Sequence, residues 1–541
     1  MLLIIIDDIS AYDNQKLLFG TAFVLGAAGT TQAQYTKDVL LFSQGDNGGT
    51  ARFKAMGNAS TALGGDISSI TSNPAGLGYF NQSDVSVTAR YLNNKNKTEY
   101  FGQNSNSSKN NFNLDNAGIV FHLPTYRNGG NLDRGWLNFN VGIAYNRNYV
   151  YNNLLEYRGV NNTSSISDAY SDQLSSPGGM NGWGQEVYNN SLLFDVDPKN
   201  AGAYIPITVG GTFDGKNGFN QVNSILEKGS KSESVLSFGA NYSNKLYLGA
   251  SLGFTAFSYD NSSWFTEYGQ TMTANQLKEI NEDSEFLKPT NAQKYAMLDK
   301  DYELYDDYAQ ATDGTGVDFK LGVIYKFTPT FSMGFTAKSP TFMSIRDESY
   351  SNSEFRYFRP NEDKSFKEYR TSDDAGHSYL EYNMNTPYKL SVGASQVFSR
   401  GLITADVEWV DYAAMRFKDV GNYSKTLENN MNQNIKDTYQ GAFNARIGGE
   451  VLFDNVFSGR AGFNYSGNPY KNADYTNYTA SLGIGAKLGR GMYIDLTGAY
   501  NAVNYKESPY LINENYWNNA SPVADIKNQR TNVVLTIGSK F

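Results

Sequence analysis

The chain of 541 residues contains no cysteine, which excludes disulfide bonds and thiolate metal ligands. Its only histidines, His122 and His377, leave little for acid–base catalysis or for an imidazole metal site. Charged residues make up just 18% of the chain, and a net charge of -9 argues against nucleic acid as a partner. Proline is sparse, with 13 residues. Beyond the N-terminal region no run of roughly 20 apolar residues occurs, so helical membrane spans are excluded. The expected protein is not an enzyme, and it carries neither a metal nor a cofactor.

Tyrosine (40), phenylalanine (32) and glycine (52) are abundant instead. The mean hydropathy of -0.49 looks soluble, but a membrane β-barrel hides from a window average because alternate residues face lipid and lumen. Composition alone fits a secreted soluble β-protein equally well, so patterning has to decide.

Both ends carry addresses. Lys16 precedes the apolar run 17–28, and Thr31-Gln32-Ala33 offers a cleavage site before Gln34, which reads as a secretory signal peptide over 1–33. Asp7, Asp8 and Asp13 put acid where such a leader wants base, as if the start were extended and the true one lay near Lys16. At the other end Val533, Leu535 and Ile537 alternate with polar or small neighbours, and the chain stops at Phe541. An alternating last strand with a terminal aromatic resembles the signal read by the outer-membrane barrel-assembly machinery.

Between these ends, period-two alternation bounded by turn residues recurs about 14 times. The segments are 85–91, 112–121, 137–146, 235–242, 246–255, 317–327, 331–337, 388–397, 403–409, 443–453, 457–465, 478–488, 492–500 and the last strand. Most measure roughly 9–13 residues, enough to cross a bilayer when tilted. Connections alternate in length: tight turns at 243–245, 328–330, 399–401, 454–455 and 489–490, and long polar loops at 94–111, 152–231, 260–313, 351–378, 416–438, 467–477 and 505–528. Short periplasmic turns and long exterior loops are the signature of a transmembrane antiparallel β-barrel. The connection 124–135 is the exception, longer than the other periplasmic turns.

If the apolar parity faces lipid, the other faces the lumen. The inward set holds Arg90, Asp318, Lys320, Lys326, Lys338, Lys389, Asp406, Glu408, Arg446, Glu450, Arg460 and Asp495. Such charges are expected to pair across the bore, either as a stiffening salt-bridge filling or as a polar conduction path.

Residues 34–82 do not alternate. They hold Gly48-Gly49-Thr50-Ala51-Arg52, a Gly/Ala/Met-rich stretch from Met56 to Asp66, and Asn73-Pro74-Ala75-Gly76-Leu77. Asn73 suits a helix N-cap with Pro74 at N1, and Gly76 suits a short helix ending in a turn. A leader, this segment and then a barrel of about 14 strands over 83–541 together resemble the FadL family of long-chain fatty acid outer-membrane transporters and its aromatic-hydrocarbon relatives. Ser339-Pro340, Thr386-Pro387-Tyr388-Lys389-Leu390-Ser391-Val392-Gly393 and Ala405-Asp406-Val407-Glu408-Trp409 extend the resemblance. It implies that 34–82 folds into the lumen as a hatch containing Asn73, Pro74 and Ala75, with Gly76 closing the turn. It implies passive uptake of a hydrophobic small molecule across the outer membrane of a Gram-negative bacterium, among outer-membrane lipids and lipopolysaccharide.

The loops supply candidate aromatics: Trp264, Phe265, Tyr268, Tyr302, Tyr305 and Tyr308. Residues 301–308 are expected as an amphipathic loop helix over the mouth. Two other readings stay open: a surface scaffold or secretion component, and a haem receptor with His377 or a loop tyrosine as iron ligand. His377, beside Asp373 and Asp374, has no identifiable nucleophile near it in sequence, and His122 should sit near the periplasm.

Overall fold

Successive side chains of a strand point to opposite faces, so Val85-Ser86-Val87-Thr88 sets valines on one side and hydroxyls on the other. The computed structural model describes residues 19–20, 30–45, 48–125, 134–180, 182–358, 367–370, 377–421, 425–513 and 520–541. In it, fourteen antiparallel strands close into a barrel. They are β1 (Asp84–Tyr100), β2 (Gln103–Pro124), β3 (Trp136–Val150, continued as Asn153–Asn161), β4 (Lys216–Tyr242), β5 (Leu246–Thr271) and β6 (Asp301–Lys326). Next come β7 (Phe331–Lys338, continued as Phe342–Phe358), β8 (His377–Asn385, continued as Lys389–Phe398), β9 (Gly401–Asp411) and β10 (Gly441–Leu452). The wall ends with β11 (Phe457–Ser466), β12 (Thr476–Gly489), β13 (Met492–Ser508) and β14 (Ala524–Lys540). β14 pairs back onto β1, from Asp84 opposite Lys540 to Tyr100 opposite Ala524, so the sheet has no free edge there.

Each segment read from the sequence falls on one of these strands, and the apolar parity does face outward. On β1, Val85, Val87 and Tyr91 are exposed while Ser86, Thr88 and Arg90 are buried. Phe443, Ile447 and Val451 repeat this on β10, as do Val533, Leu535 and Ile537 on β14. Trp136, Phe327, Phe453, Phe457 and Phe541 add an aromatic girdle at the end of the short turns. A continuous apolar belt around a closed barrel is stable only against hydrocarbon, and closure pairs the wall's peptide groups from strand to strand through most of it. The chain is therefore an outer-membrane barrel. Among the described residues no helix is long and apolar enough to cross a membrane.

The strands run much further than the sequence pattern suggested. β4 and β5 contain 27 and 26 residues, against the roughly 9–11 that a tilted crossing needs. The expected loop 94–111 is strand: β1 and β2 continue to a turn at Phe101 and Gly102, both at positive φ. The expected helix at 301–308 is the start of β6, where Tyr302, Leu304 and Tyr308 are buried in period two. Residues 153–161, 216–231, 260–271, 351–358 and 505–508 are likewise strand. Above the lipid both faces of a strand meet water or protein, so the apolar marker of alternation disappears while the hydrogen-bond ladder continues.

On these extensions sits a folded cap built from the long connections, including α3 (Ile166–Ser175), α4 (Trp183–Ser191) and α5 (Ala274–Ile280). Its core contains Tyr170, Leu193, Phe265, Phe286, Tyr302 and Phe355. The opposite rim is low: β10 and β11 have 12 and 10 residues, topped by α6 (Lys425–Thr438).

The leader expected over 1–33 lies almost wholly outside the described residues. From Thr30 the chain enters the lumen as α1 (Thr30–Ser43), then α2 (Ala51–Ala55) and two 3-10 turns, Ile67–Ile70 and Pro74–Tyr79.

Candidate functional site

The inner segment is seated by small residues on the wall. β2 to β8 and β10 to β12 each turn a glycine toward it, and an added Cβ there would overlap the segment. Gly249 faces the Pro74–Ala75 peptide, Gly322 the Asn73 side chain, Gly334 the Thr61 carbonyl and Gly448 the Met56 carbonyl. Gly462 faces Gly57, and Gly483 the Ala55 methyl. Glycine inside a strand marks such a close backbone approach. The Asn73 side chain accepts from the Ala75 N–H (3.1 Å) and donates to the Thr61 carbonyl (2.6 Å), and Asn73 is fully buried. Pro74 stands at N1 of the turn.

Inward charges pair with the segment and with near neighbours rather than across an open bore. Arg52 meets Glu450 at 2.9 Å, and Arg460 bridges Glu450 and Asp495 at 2.5 Å each. Lys54 and Arg90 both reach the buried Asp115, at 3.0 and 2.9 Å. Asp406 accepts the N–H groups of Ser60 (2.7 Å) and Thr61 (2.9 Å), and the Lys320 ammonium donates to the Thr71 carbonyl. Lys338 lies between Glu233 (3.2 Å) and Asp318 (3.0 Å). Glu408 pairs with Arg446 at 2.6 Å. Lys326 lies over the Tyr79 ring, 4.6 Å from its centroid.

Above the seat lies a chamber of about 380 Å³. Leu40 and Leu41 of α1, with Leu92, Leu155, Ile225 and Val503, give it an apolar side. Tyr149, Tyr412, Tyr470, Tyr475 and Tyr505 line it as well; Lys389, Arg446 and Arg530 bring positive charge to it, and Glu227, Glu408 and Glu507 bring negative charge. The Arg530 guanidinium stacks on the Tyr149 ring, 5.1 Å from its centroid.

α1 is held in the upper lumen by apolar and polar contacts. Phe42 packs on Phe257 and Tyr259, and the Lys231 ammonium donates to the Phe42 and Gln44 carbonyls at the helix C-terminus. Lys37 meets Glu507 at 3.5 Å. Asp38 and Asp347, both buried, share the Gln310 amide at 3.0 and 2.8 Å. Asp347 lies above the lipid belt, since the outward-facing Arg346 and Glu348 flank it. Burial first, then the facing Asp347 and the nearby Glu227, push the Asp38 carboxyl up to about 7, against the pull of Gln310 and Lys37. The seated helix thus holds a proton that a released, solvated Asp38 gives up near pH 4. This contribution to the seat is fully present below about pH 4 and is lost as pH rises to about 7. Intrinsic-rate-corrected amide exchange in α1 should therefore be slower at pH 5 than at pH 8. Asp38→Asn should flatten that dependence; an unchanged pH profile in the variant would rule this contact out as its cause.

β3 leaves β2 beside the chamber. Their ladder runs from Pro124 opposite Asn138 to Asn116 opposite Asn146 and stops there. Higher up, β3 keeps to β4, and asparagines stand in for the missing ladder. Asn94 donates to the Asn152 carbonyl (2.9 Å), Asn96 to the Leu154 carbonyl (2.6 Å) and Asn152 to the Asn110 carbonyl (3.0 Å). Phe112, 74% exposed, and Leu114 place the foot of this seam at lipid height.

The remaining predicted residues are spread. Phe265, Tyr302 and Tyr308 belong to the cap core, while Trp264, Tyr268 and Tyr305 have the opposite parity and are only partly covered. His122, at the periplasmic end of β2, lies 2.9 Å from the Asn140 amide oxygen. His377 is exposed and meets Glu348 at 2.9 Å on the outer wall. Asp373 and Asp374 lie outside the described residues. Sequence reasoning missed the seating glycines, although inward parity marked them, and missed Asp115, Asp38 and Asp347 entirely.

Neither a family model nor a curated protein matches the chain. Among solved structures it is similar to a Pseudomonas aeruginosa FadL homologue, at 12% identity and a TM-score of 0.50, covering 92% of this chain and 99% of that one. The toluene transporter TodX of P. putida aligns over 92% and 99% of the two chains, with 13% identity and a TM-score of 0.48. At these identities the likeness concerns the fold, which is the FadL-type barrel.

Proposed function

We propose that this FadL-type barrel is a passive uptake channel for hydrophobic small molecules, and that its cargo carries an acidic head, as a long-chain fatty acid does. The chamber carries the reading: one space of about 380 Å³ joins an apolar side to Lys389 and Arg530, and to Arg446, whose charge Glu408 partly offsets. That volume lies within the roughly 300–1,000 Å³ span of small-molecule sites. An alkyl chain gains about 0.8 kcal/mol for each buried CH₂, and a carboxylate gains from the cations. A neutral hydrocarbon gains only the first.

The inner segment acts as a plug, with Asn73, Pro74, Ala75 and Gly76 as its anchoring turn. Because it closes the bore toward the periplasm, cargo leaves the chamber sideways through the β2–β3 seam. An apolar chain then passes from protein to hydrocarbon without crossing water.

The test is uptake by liposomes containing the purified barrel. Oleate should enter faster than in empty liposomes, and glucose should not. Lys389→Gln should slow oleate entry about fivefold and leave oleyl alcohol unchanged. Equal slowing of both would remove head-group recognition from the reading, and no acceleration of either would remove transport itself.

A further inference from the structure

The outer wall just above the lipid belt is electrically two-sided. On β5 to β8 its exposed charges are mainly acidic: Asp260, Asp313, Glu348 and Glu381, with Arg346 among them. On β14 and β1 the charged outward residues nearest the belt are basic. Above Tyr91 and Val533, the last apolar pair, Asn93 opposes Thr531, then Lys95 opposes Gln529, and then Lys97 opposes Lys527. Lys506 lies one strand over, where its register partner is Asp525.

Lys97 and Lys527 face each other directly across an antiparallel ladder, both exposed. Like charges in that position are destabilising. Among the described residues, only Lys506 of these four lysines meets an acid, Asp525 at 3.7 Å. The acids Glu99 and Asp525 sit one row further from the membrane, so the cations come first on leaving the lipid. Lys95 stands four residues above Tyr91, a rise of roughly 13 Å along the strand and less along the membrane normal because the strand is tilted. A phosphorylated glycolipid of the outer leaflet presents its phosphates at that level, next to its own acyl chains.

We infer that Lys95, Lys97 and Lys527 form a docking site for the phosphates of an outer-leaflet lipopolysaccharide molecule whose acyl chains lie along β1 and β14. The bound phosphates relieve the repulsion between Lys97 and Lys527. The acyl chains cover Val85, Val87, Val533 and Leu535 below them. One side of the barrel thus binds the anionic leaflet while the acidic side repels it, which fixes how the barrel sits among its lipids.

The experiment is a titration of the purified, folded barrel in detergent with lipopolysaccharide, read by native mass spectrometry. The comparison ligands are dephosphorylated lipopolysaccharide and inorganic phosphate. The wild type should retain a lipopolysaccharide molecule, and either removal of its phosphates or K97E/K527E should weaken binding at least tenfold. Glu348→Gln with Asp313→Asn on the acidic side should leave binding unchanged, and heat-modifiable gel mobility reports that each variant is folded. Equal affinity of wild type and K97E/K527E would overturn the proposal, as would loss of binding in the acidic-side variant. Competition by millimolar inorganic phosphate as effective as that by the lipid would also overturn it, since the site would then take a small anion.

Discussion

Gly249→Val is expected to unseat the inner segment and raise single-channel conductance at least tenfold, while the barrel itself still folds. The three atoms nearest an added Cβ at Gly249 all belong to the main chain of Pro74 and Ala75. A side chain that meets another side chain can be relieved by a new rotamer, at about 1–3 kcal/mol. Main chain offers no such escape. The Asn73 cap fixes this turn from the other side, through the Thr61 carbonyl and the Ala75 N–H, so the turn cannot simply step back. Gly498→Val is the matched control, because nothing lies within 4 Å of an added Cβ there. Both variants should show the heat-modifiable gel mobility of a folded barrel, and only the first should conduct. A quiet Gly249→Val channel with normal uptake would mean that the glycine belt does not hold the segment.

The wall was legible because one solvent, hydrocarbon, imposes one rule on every strand that crosses it. Val85-x-Val87 and Val533-x-Leu535-x-Ile537 obey that rule, and the outward face of the barrel follows it around. The rule lapses where the lipid ends. Lys95, Asn96 and Lys97 continue β1, yet nothing in their polarity distinguishes a strand in water from a loop. The same lapse hid the start of β6, where Tyr302-Glu303-Leu304-Tyr305 fits either a helix or a strand over so short a window.

The site was legible in a different degree. Asn73-Pro74 announces its own local geometry, since an N-cap followed by proline at N1 is a matter of neighbouring atoms. Its seat is non-local: Gly322 and Gly334 matter only because residues more than two hundred positions away lie against them. The inward parity identified Arg90, Glu450 and Asp406 as lumenal, but parity carries no information about partners. Their counter-charges and donors are Asp115, Arg52 with Arg460, and the Ser60–Thr61 backbone. Asp115 lay within an expected strand yet sits at a bulge, where the β1–β2 register slips between Thr88 and Ala89. A bulge residue belongs to neither parity, so alternation could not reveal which way it points.

Asp115→Asn should destabilise the seat of α2 and loosen the β2–β3 seam together, because one carboxylate serves both. Lys54 comes from α2 and Arg90 from β1, and both reach it at ion-pair distance in a setting where Asp115 is fully buried. Removing one partner of a buried ion cluster leaves uncompensated charge and costs about 3–5 kcal/mol. Here two cations would be left facing each other. The ladder between β2 and β3 already ends at Asn116, the next residue, so no main-chain pairing across the seam resists the disturbance above it. Amide exchange should accelerate about tenfold or more in α2 and at Asn110–Asn113, and leave the cap core around Phe265 and Tyr302 unchanged. Replacing the cluster with apolar residues, Lys54→Met with Arg90→Met and Asp115→Leu, removes every buried charge at once and should restore much of the protection. If the single variant loosened α2 but left the seam as it was, Asp115 would anchor the inner segment without coupling it to the seam. If the triple variant were as loose as the single one, the loss would come from the changed shape at the bulge rather than from charge.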